Sequence, residues 1–111
     1  MDQNQRNIQR LVVKVGASVL TSDAGRMLPE RLDRLVEELA ACARSGRHPV
    51  LVSSGAIACG MARLGLSCRP APLAQLQACA AIGQSELMHL YTRAFAERGL
   101  LTAQVLLTQE D

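Results

Sequence analysis

The sequence predicts an α/β fold built around a parallel sheet, and two observations support that prediction. Two short valine-rich segments, residues 10–15 and 49–54, have the length and composition of buried strands. A segment with the periodicity of an amphipathic helix lies between them. A strand, a helix and a second strand in this order are typical of parallel pairing, because parallel neighbours are joined by a crossover rather than by a tight turn.

The segment from residue 29 to 46 is predicted to contain a helix with one apolar face. Pro29 stands where the first helical turn begins, and Gly46 follows the last periodic residue, as is typical of helix ends. The apolar residues recur at the i, i+3, i+4, i+7 spacing of one face: Leu32, Leu35, Val36, Leu39, Ala40 and Ala43.

The second half of the chain continues the alternation of strands and helices. Residues 55–65 can enter a helix directly from the second strand, and two prolines within residues 66–72 end it. Residues 73–95 are again periodic, with Gly83 as the expected break. Residues 102–108, with the sequence TAQVLLT, are predicted to form a third strand.

Composition and charge indicate one globular domain and argue against nucleic-acid and membrane partners. The chain has 111 residues, of which 49% are hydrophobic and 20% charged, and these values suit one globular domain at residues 10–111 after a polar tail at 1–9. The 12 basic and 10 acidic residues are interspersed, so we expect no nucleic-acid partner. No apolar run approaches the roughly 18 residues of a membrane span. We therefore predict a cytoplasmic protein without a membrane contact.

The cysteines and histidines predict no metal site. Neither histidine lies near a cysteine in the sequence, and no two cysteines have the C-x-x-C spacing of zinc or redox motifs. We interpret the cysteines as small buried apolar residues in a reducing compartment. These residues are His48, His89, Cys42, Cys59, Cys68 and Cys79.

Glycine-containing turns follow both predicted strands. Gly16 follows the first strand and Gly55 the second, and in a parallel sheet both turns would open at the same edge. Glycine lets backbone N–H groups approach a ligand closely, and a helix starting near Ala56 would direct its positive end at an anion. The two turns together predict an anion-binding edge, although a Ser-Ser-Gly turn is also common as an ordinary helix cap.

Lys14 lies in the middle of the first apolar run. A buried ammonium costs several kcal/mol unless it is paired or serves a bound anion. One interpretation is therefore that Lys14 faces a phosphate at the same edge as the glycine turns. The other is that it is a solvated lysine that protects a sheet edge from aggregation.

Four stretches of the sequence together resemble a known family: VVKVGASVLT, VLVSSGAIACGMARLGL, QACAAIGQSELMHLY and AQVLLTQED. In their order and spacing they resemble the N-terminal part of the glutamate-phosphorylating members of the amino acid kinase family. The resemblance implies a three-layer α/β/α fold with a mainly parallel sheet. It also implies transfer of the γ-phosphoryl group of ATP, with Mg²⁺, to the side-chain carboxylate of L-glutamate, the first step of proline synthesis.

The resemblance also implies roles for individual residues. Lys14 would be catalytic and would contact the ATP phosphates together with Gly16 and Ser18. The substrate glutamate would be bound by Ser54, Gly55 and Ala56. No protein metal ligand is implied among these residues.

The same resemblance leads us to expect an incomplete domain. Residues 10–111 would be the N-terminal part of the kinase domain, without the nucleotide-binding half, and the chain alone would be inactive. Members of the family are commonly oligomeric and inhibited by proline, so a homo-oligomer or association with a fuller chain is expected. The alternative is a non-catalytic module that binds a ligand or docks onto a kinase.

Overall fold

A computed structural model describes residues 9–23 and 25–106 of the chain. These residues form two strands and four helices. In chain order, they are β1 (Arg10–Val15), α1 (Ala17–Leu20), α2 (Pro29–Arg44), β2 (His48–Ser53), α3 (Ala56–Leu64) and α4 (Leu73–Ala96).

The strands β1 and β2 pair in parallel, as the sequence predicts. Their register joins Arg10 to His48 at one end and Val15 to Ser53 at the other. Burial alternates along β1, so that its two faces differ. The prediction that β1 is buried throughout is wrong for the described residues, because helices cover only one face of the sheet. Lys14 lies on the other face and is exposed.

The helix α2 confirms the periodicity argument. It begins at Pro29, ends at Arg44, and is followed by Gly46 in a left-handed conformation, with φ of 93°. Its buried residues belong to the predicted apolar face and pack in one core with the inward face of the sheet and with α4. The completely buried members of this core include Leu20 and Val36.

The helix α4 runs without interruption, so the prediction that Gly83 breaks it is wrong. The reason for a glycine here is close packing against α3 rather than a turn. A Cβ built on Gly83 would lie 1.5 Å from the Ala56 carbonyl oxygen, and one built on Gly60 would lie 1.9 Å from that of Cys79. The two helices therefore meet backbone to backbone at this crossing.

The third predicted strand is absent from the part of it that the structure describes. Residues 102–106 have no regular secondary structure, and residues 107–108 lie outside the described residues. The segment borders a groove of about 790 Å³ beside β2 without pairing to the strand. Val105 and Leu106 remain 77% exposed, so these two side chains contribute little apolar contact to hold the segment against the sheet.

The cysteine prediction is confirmed in part. Cys59 and Cys79 are buried, and Cys42 is half-buried, but Cys68 is exposed because it lies in the loop between α3 and α4. Within residues 9–23 and 25–106, no helix is long and apolar enough to cross a membrane. The same residues contain no cluster of three or more histidine, cysteine, aspartate or glutamate side chains suited to a metal ion.

Candidate active site

The turns after β1 and β2 lie side by side, as predicted from parallel pairing. The Ser54 N–H donates a hydrogen bond of 2.9 Å to the carbonyl of Val15, the last residue of β1. This bond extends the ladder by one step beyond the Val15–Ser53 pair. Gly16 and Ser54 therefore follow adjacent strand ends, which lie about 4.8 Å apart in a sheet.

The turn after β1 contains a helix of one turn, α1, which the sequence analysis did not predict. Gly16 precedes it in an extended conformation, and Ser18 lies within it and is exposed. A Cβ built on Gly16 would meet no atom within 4 Å, so there is open space beside this glycine. Lys14 stands two residues earlier on the exposed face of β1, where its ammonium is accessible to an anion in solution.

Arg31, in the first turn of α2, stabilises the turn after β1. Its guanidinium donates a hydrogen bond of 3.2 Å to the Thr21 carbonyl and longer ones, of 3.4 and 3.5 Å, to those of Ser18 and Val19. These carbonyls lie at the end of α1, where helical partners are lacking. Arg31 thus connects α2 to the segment that carries Ser18.

The turn after β2 leads directly into α3. Gly55 has φ of 123°, a conformation that side chains rarely allow, and it is buried against Met27 and Leu87. The helix begins at Ala56, so its first N–H groups have no partner within the helix. Ser54 is exposed beside them. A hydroxyl and several free N–H groups suit recognition of a carboxylate or a phosphate.

Beneath this turn, Ser53 and Tyr91 form a hydrogen bond of 2.7 Å between their hydroxyl oxygens. Tyr91 belongs to the core and stacks on Phe95, with ring centroids 6.4 Å apart. Burial raises the pKa of the Tyr91 phenol above its ordinary value. The phenol is therefore protonated at neutral pH.

All of the site residues predicted from the sequence follow, or lie within one residue of, the two strand ends. They are Lys14, Gly16, Ser18, Ser54, Gly55 and Ala56. Arg31 and the Ser53–Tyr91 pair were not predicted from the sequence. The sequence offered one indication that Tyr91 has a specific position: tyrosine and phenylalanine occur only once each in the chain. It offered none for Arg31, because a basic residue in a first helical turn is unremarkable on its own.

Comparison with known proteins places this arrangement in a family. Residues 9–111 match the model of the amino acid kinase family. The chain belongs to the amino acid kinase family. This membership confirms the resemblance found in the four sequence stretches and agrees with the α/β fold and parallel pairing of β1 and β2.

Three relatives of the chain carry the same name. The chain is 52% identical over 103 residues to a protein named glutamate 5-kinase from Moorella thermoacetica, covering 93% of this chain and 27% of the relative. It is 49% identical over 106 residues to a glutamate 5-kinase from Azoarcus, covering 96% and 29%. A third, from Symbiobacterium thermophilum, is 45% identical over 111 residues, covering 100% and 42%. The chain thus spans less than half the length of each of these three relatives.

Proposed function

We propose that this chain supplies part of the active site of an ATP-dependent kinase that phosphorylates the side-chain carboxylate of L-glutamate to glutamyl 5-phosphate. The observation that supports it most is the hydrogen bond from Ser54 to Val15, which joins the lysine-containing strand end to the serine-containing turn. A phosphoryl donor and a carboxylate acceptor need two adjacent anion sites. The names of the relatives suggest glutamate as the acceptor.

On the donor side, we propose that Lys14, Gly16 and Ser18 bind the ATP phosphates. The open space beside Gly16 admits a phosphate close to the backbone, and Lys14 is exposed two residues earlier and forms no ion pair within residues 9–23 and 25–106. In the transfer, a glutamate carboxylate oxygen forms a bond to the γ-phosphorus while the bond to the ADP oxygen breaks. Lys14 would stabilise the charge on the transferring group, which is the main catalytic task in such reactions.

On the acceptor side, we propose that Ser54, Gly55 and Ala56 hold the glutamate carboxylate. The Ser54 hydroxyl and the free N–H groups at the start of α3 are donors, and the positive end of the helix favours an anion. Fixing the carboxylate beside the phosphate turn converts a reaction between two solutes into one between oriented neighbours.

The residues present fit the phosphates of ATP better than they fit a resident metal ion. Lys14, Ser18 and the backbone beside Gly16 are donors to anions, whereas the described residues offer no carboxylate cluster. Mg²⁺ commonly binds through substrate phosphates with few protein ligands, and it would neutralise phosphate charge in the bound complex. We place this chemistry in the cytoplasm, where ATP is available.

The assignment can be tested in a chimera in which residues 9–111 replace the matching segment of the Moorella thermoacetica relative. Glutamyl phosphate is trapped as the hydroxamate in the presence of ATP, Mg²⁺ and L-glutamate. We expect Lys14→Ala to lower kcat by at least about 100-fold, because it removes a donor to the developing charge. Arg10→Ala is the matched control, since Arg10 is a basic, exposed residue on the same face of β1, and its rate should stay within about twofold.

In the same chimera, Ser54→Ala should raise the KM for glutamate about tenfold, the value of one hydrogen bond to a charged group. Ser67→Ala, at an exposed serine in the loop after α3, is the control and should leave the KM unchanged. Equal kinetics for Lys14→Ala and Arg10→Ala would contradict the role of Lys14. A glutamate KM unaffected by Ser54→Ala would remove Ser54 from the acceptor site.

A further inference from the structure

The hydroxyls of Tyr91 and Ser53 form a relay with a defined direction. Ser53 Oγ donates a hydrogen bond of 2.9 Å to the Ser54 carbonyl oxygen. Either hydroxyl could donate in the 2.7 Å contact between Ser53 Oγ and Tyr91, but a hydroxyl has one proton, so while Ser53 donates to the Ser54 carbonyl it accepts from Tyr91. The proton order is therefore Tyr91 to Ser53 to the Ser54 carbonyl. Because Tyr91 is 4% exposed and packed in the core, the relay starts from a fixed point.

The relay fixes one peptide group in the turn after β2, the group between Ser54 and Gly55. The Ser54 carbonyl and the Gly55 N–H belong to the same peptide plane, and no peptide bond in residues 9–23 and 25–106 is cis. In a trans peptide the two groups point in opposite directions. Holding the Ser54 carbonyl towards Ser53 therefore directs the Gly55 N–H away from it. No hydrogen bond in the described part of the chain uses that N–H as its donor.

A second bond holds the same turn from the other side. The Ser54 N–H donates to the Val15 carbonyl at 2.9 Å, so Ser54 is hydrogen-bonded through both its amide and its carbonyl. Its side chain remains exposed. The turn thus has a fixed backbone, an exposed hydroxyl at Ser54 and an N–H at Gly55 that has no partner among the described residues.

We propose that Tyr91 is a positioning residue for the acceptor site: through Ser53, it fixes the Ser54–Gly55 peptide so that the Gly55 N–H and the Ser54 hydroxyl face the substrate carboxylate. This inference rests on the proposed function for the identity of the ligand. The orientation of the peptide rests on the hydrogen bonds alone. Tyr91 itself lies under the turn and does not touch the substrate.

The experiment measures amide hydrogen exchange of this chain at single-residue resolution, by NMR. The Ser54 amide reports opening of the turn, and the Ser45 amide, bonded to Ala41 at the end of α2, is the internal reference. Tyr91→Phe keeps the ring and removes the donor. Thr92→Val is the matched control, because it removes an exposed hydroxyl one residue away on α4.

We expect Tyr91→Phe to speed exchange at Ser54 about fivefold, the equilibrium factor for one net hydrogen bond, with Ser45 unchanged. Ser53→Ala should have the same effect, and the double variant should add little, because both changes break one relay. Thr92→Val should match the wild type. A Tyr91→Phe protein with wild-type exchange at Ser54 would overturn the relay, as would full additivity in the double variant.

Titration with L-glutamate separates the relay from the proposed function. In the wild type, glutamate should shift the Gly55 amide resonance, and Tyr91→Phe should weaken that binding about fivefold. A wild-type chain whose Gly55 resonance ignores glutamate would count against the proposed acceptor site, while the exchange rates would still decide whether Tyr91 fixes the turn. Equal glutamate affinity in both proteins would refute the positioning role.

Discussion

Replacing Gly83 by alanine tests the close packing of α3 against α4, because packing and helix propensity predict changes of opposite sign in the free energy of unfolding. Helix propensity alone predicts that Gly83→Ala stabilises the protein by about 1 kcal/mol, because glycine is the poorer helix former. The packing predicts the opposite. The new Cβ would lie 1.5 Å from the Ala56 carbonyl oxygen and 2.6 Å from the Gly60 nitrogen, and both are backbone atoms that cannot rotate away.

The loss of unfolding free energy can be judged from the distance by which α3 and α4 must move apart to relieve the overlap. An ordinary contact between carbon and a carbonyl oxygen is about 3.4 Å, so the helices must move apart by about 2 Å. Overpacking of side chains costs about 1–3 kcal/mol, and a contact between two backbones lies at or above the upper end. After the gain in propensity is subtracted, Gly83→Ala should lower the free energy of unfolding by at least about 2 kcal/mol.

Urea unfolding followed by circular dichroism at 222 nm measures this difference. A loss of about 2 kcal/mol moves the midpoint down by about 1–2 M for a domain of this size. Ser85→Ala, at an exposed position two residues along α4, is the control and should stay within about 0.5 kcal/mol of wild type. Gly60→Ala should destabilise as well, and the Gly60→Ala/Gly83→Ala pair should be less than additive, because one separation relieves both overlaps. A Gly83→Ala midpoint at or above the wild-type value would refute the packing argument.

Two further predictions concern titratable side chains. Iodoacetamide should label the exposed Cys68 first and Cys59 at least about tenfold more slowly. Cys59 is buried, and its burial, with a smaller contribution from Glu86, raises the pKa of its thiol. Mass spectrometry of timed aliquots gives the order of labelling, and equal rates for the two thiols would contradict the burial of Cys59. The hydrogen bond from Arg98, at 2.7 Å, holds the pKa of Glu37 below its ordinary value, so the pair stabilises the fold above about pH 4.5 and the contribution is lost as the pH falls through the lowered pKa. Glu37→Gln should therefore lower the Tm at pH 7, and the difference from wild type should shrink as the pH falls below about 4.5. A difference that does not shrink on acidification would argue against the ion pair as its cause.

Local sequence patterns were sufficient for the elements whose burial repeats with a regular period. The helix α2 was predictable because its apolar spacing, Pro29 and Gly46 all agree, and the site edge was predictable because parallel pairing brings two strand ends together. The roles of Lys14 and Ser54 stay predictions, since neither the fold nor the family match tests a single residue's role.

Other features depended on tertiary contacts that no local pattern encodes. Gly83 has the same local signature whether it breaks a helix or allows two helices to touch, and only the position of Ala56 decides between them. The segment 102–106 has strand-like composition, but a strand also needs a hydrogen-bonded partner. Lys14 is exposed rather than buried because helices cover one face of the sheet in the described residues, which the apolar letters around it could not reveal.

The register of β1 with β2 has a consequence for the order of folding. The pairing of Arg10 with His48 closes a long loop that contains the whole of α2. The contact between Gly60 and Gly83 closes a shorter stretch of chain. Contacts between residues distant in sequence form more slowly than local ones. We therefore expect the α3–α4 pair to form early and the sheet edge that joins Val15 to Ser54 to form late, so that the chain spends part of its folding time as a helical pair without that edge.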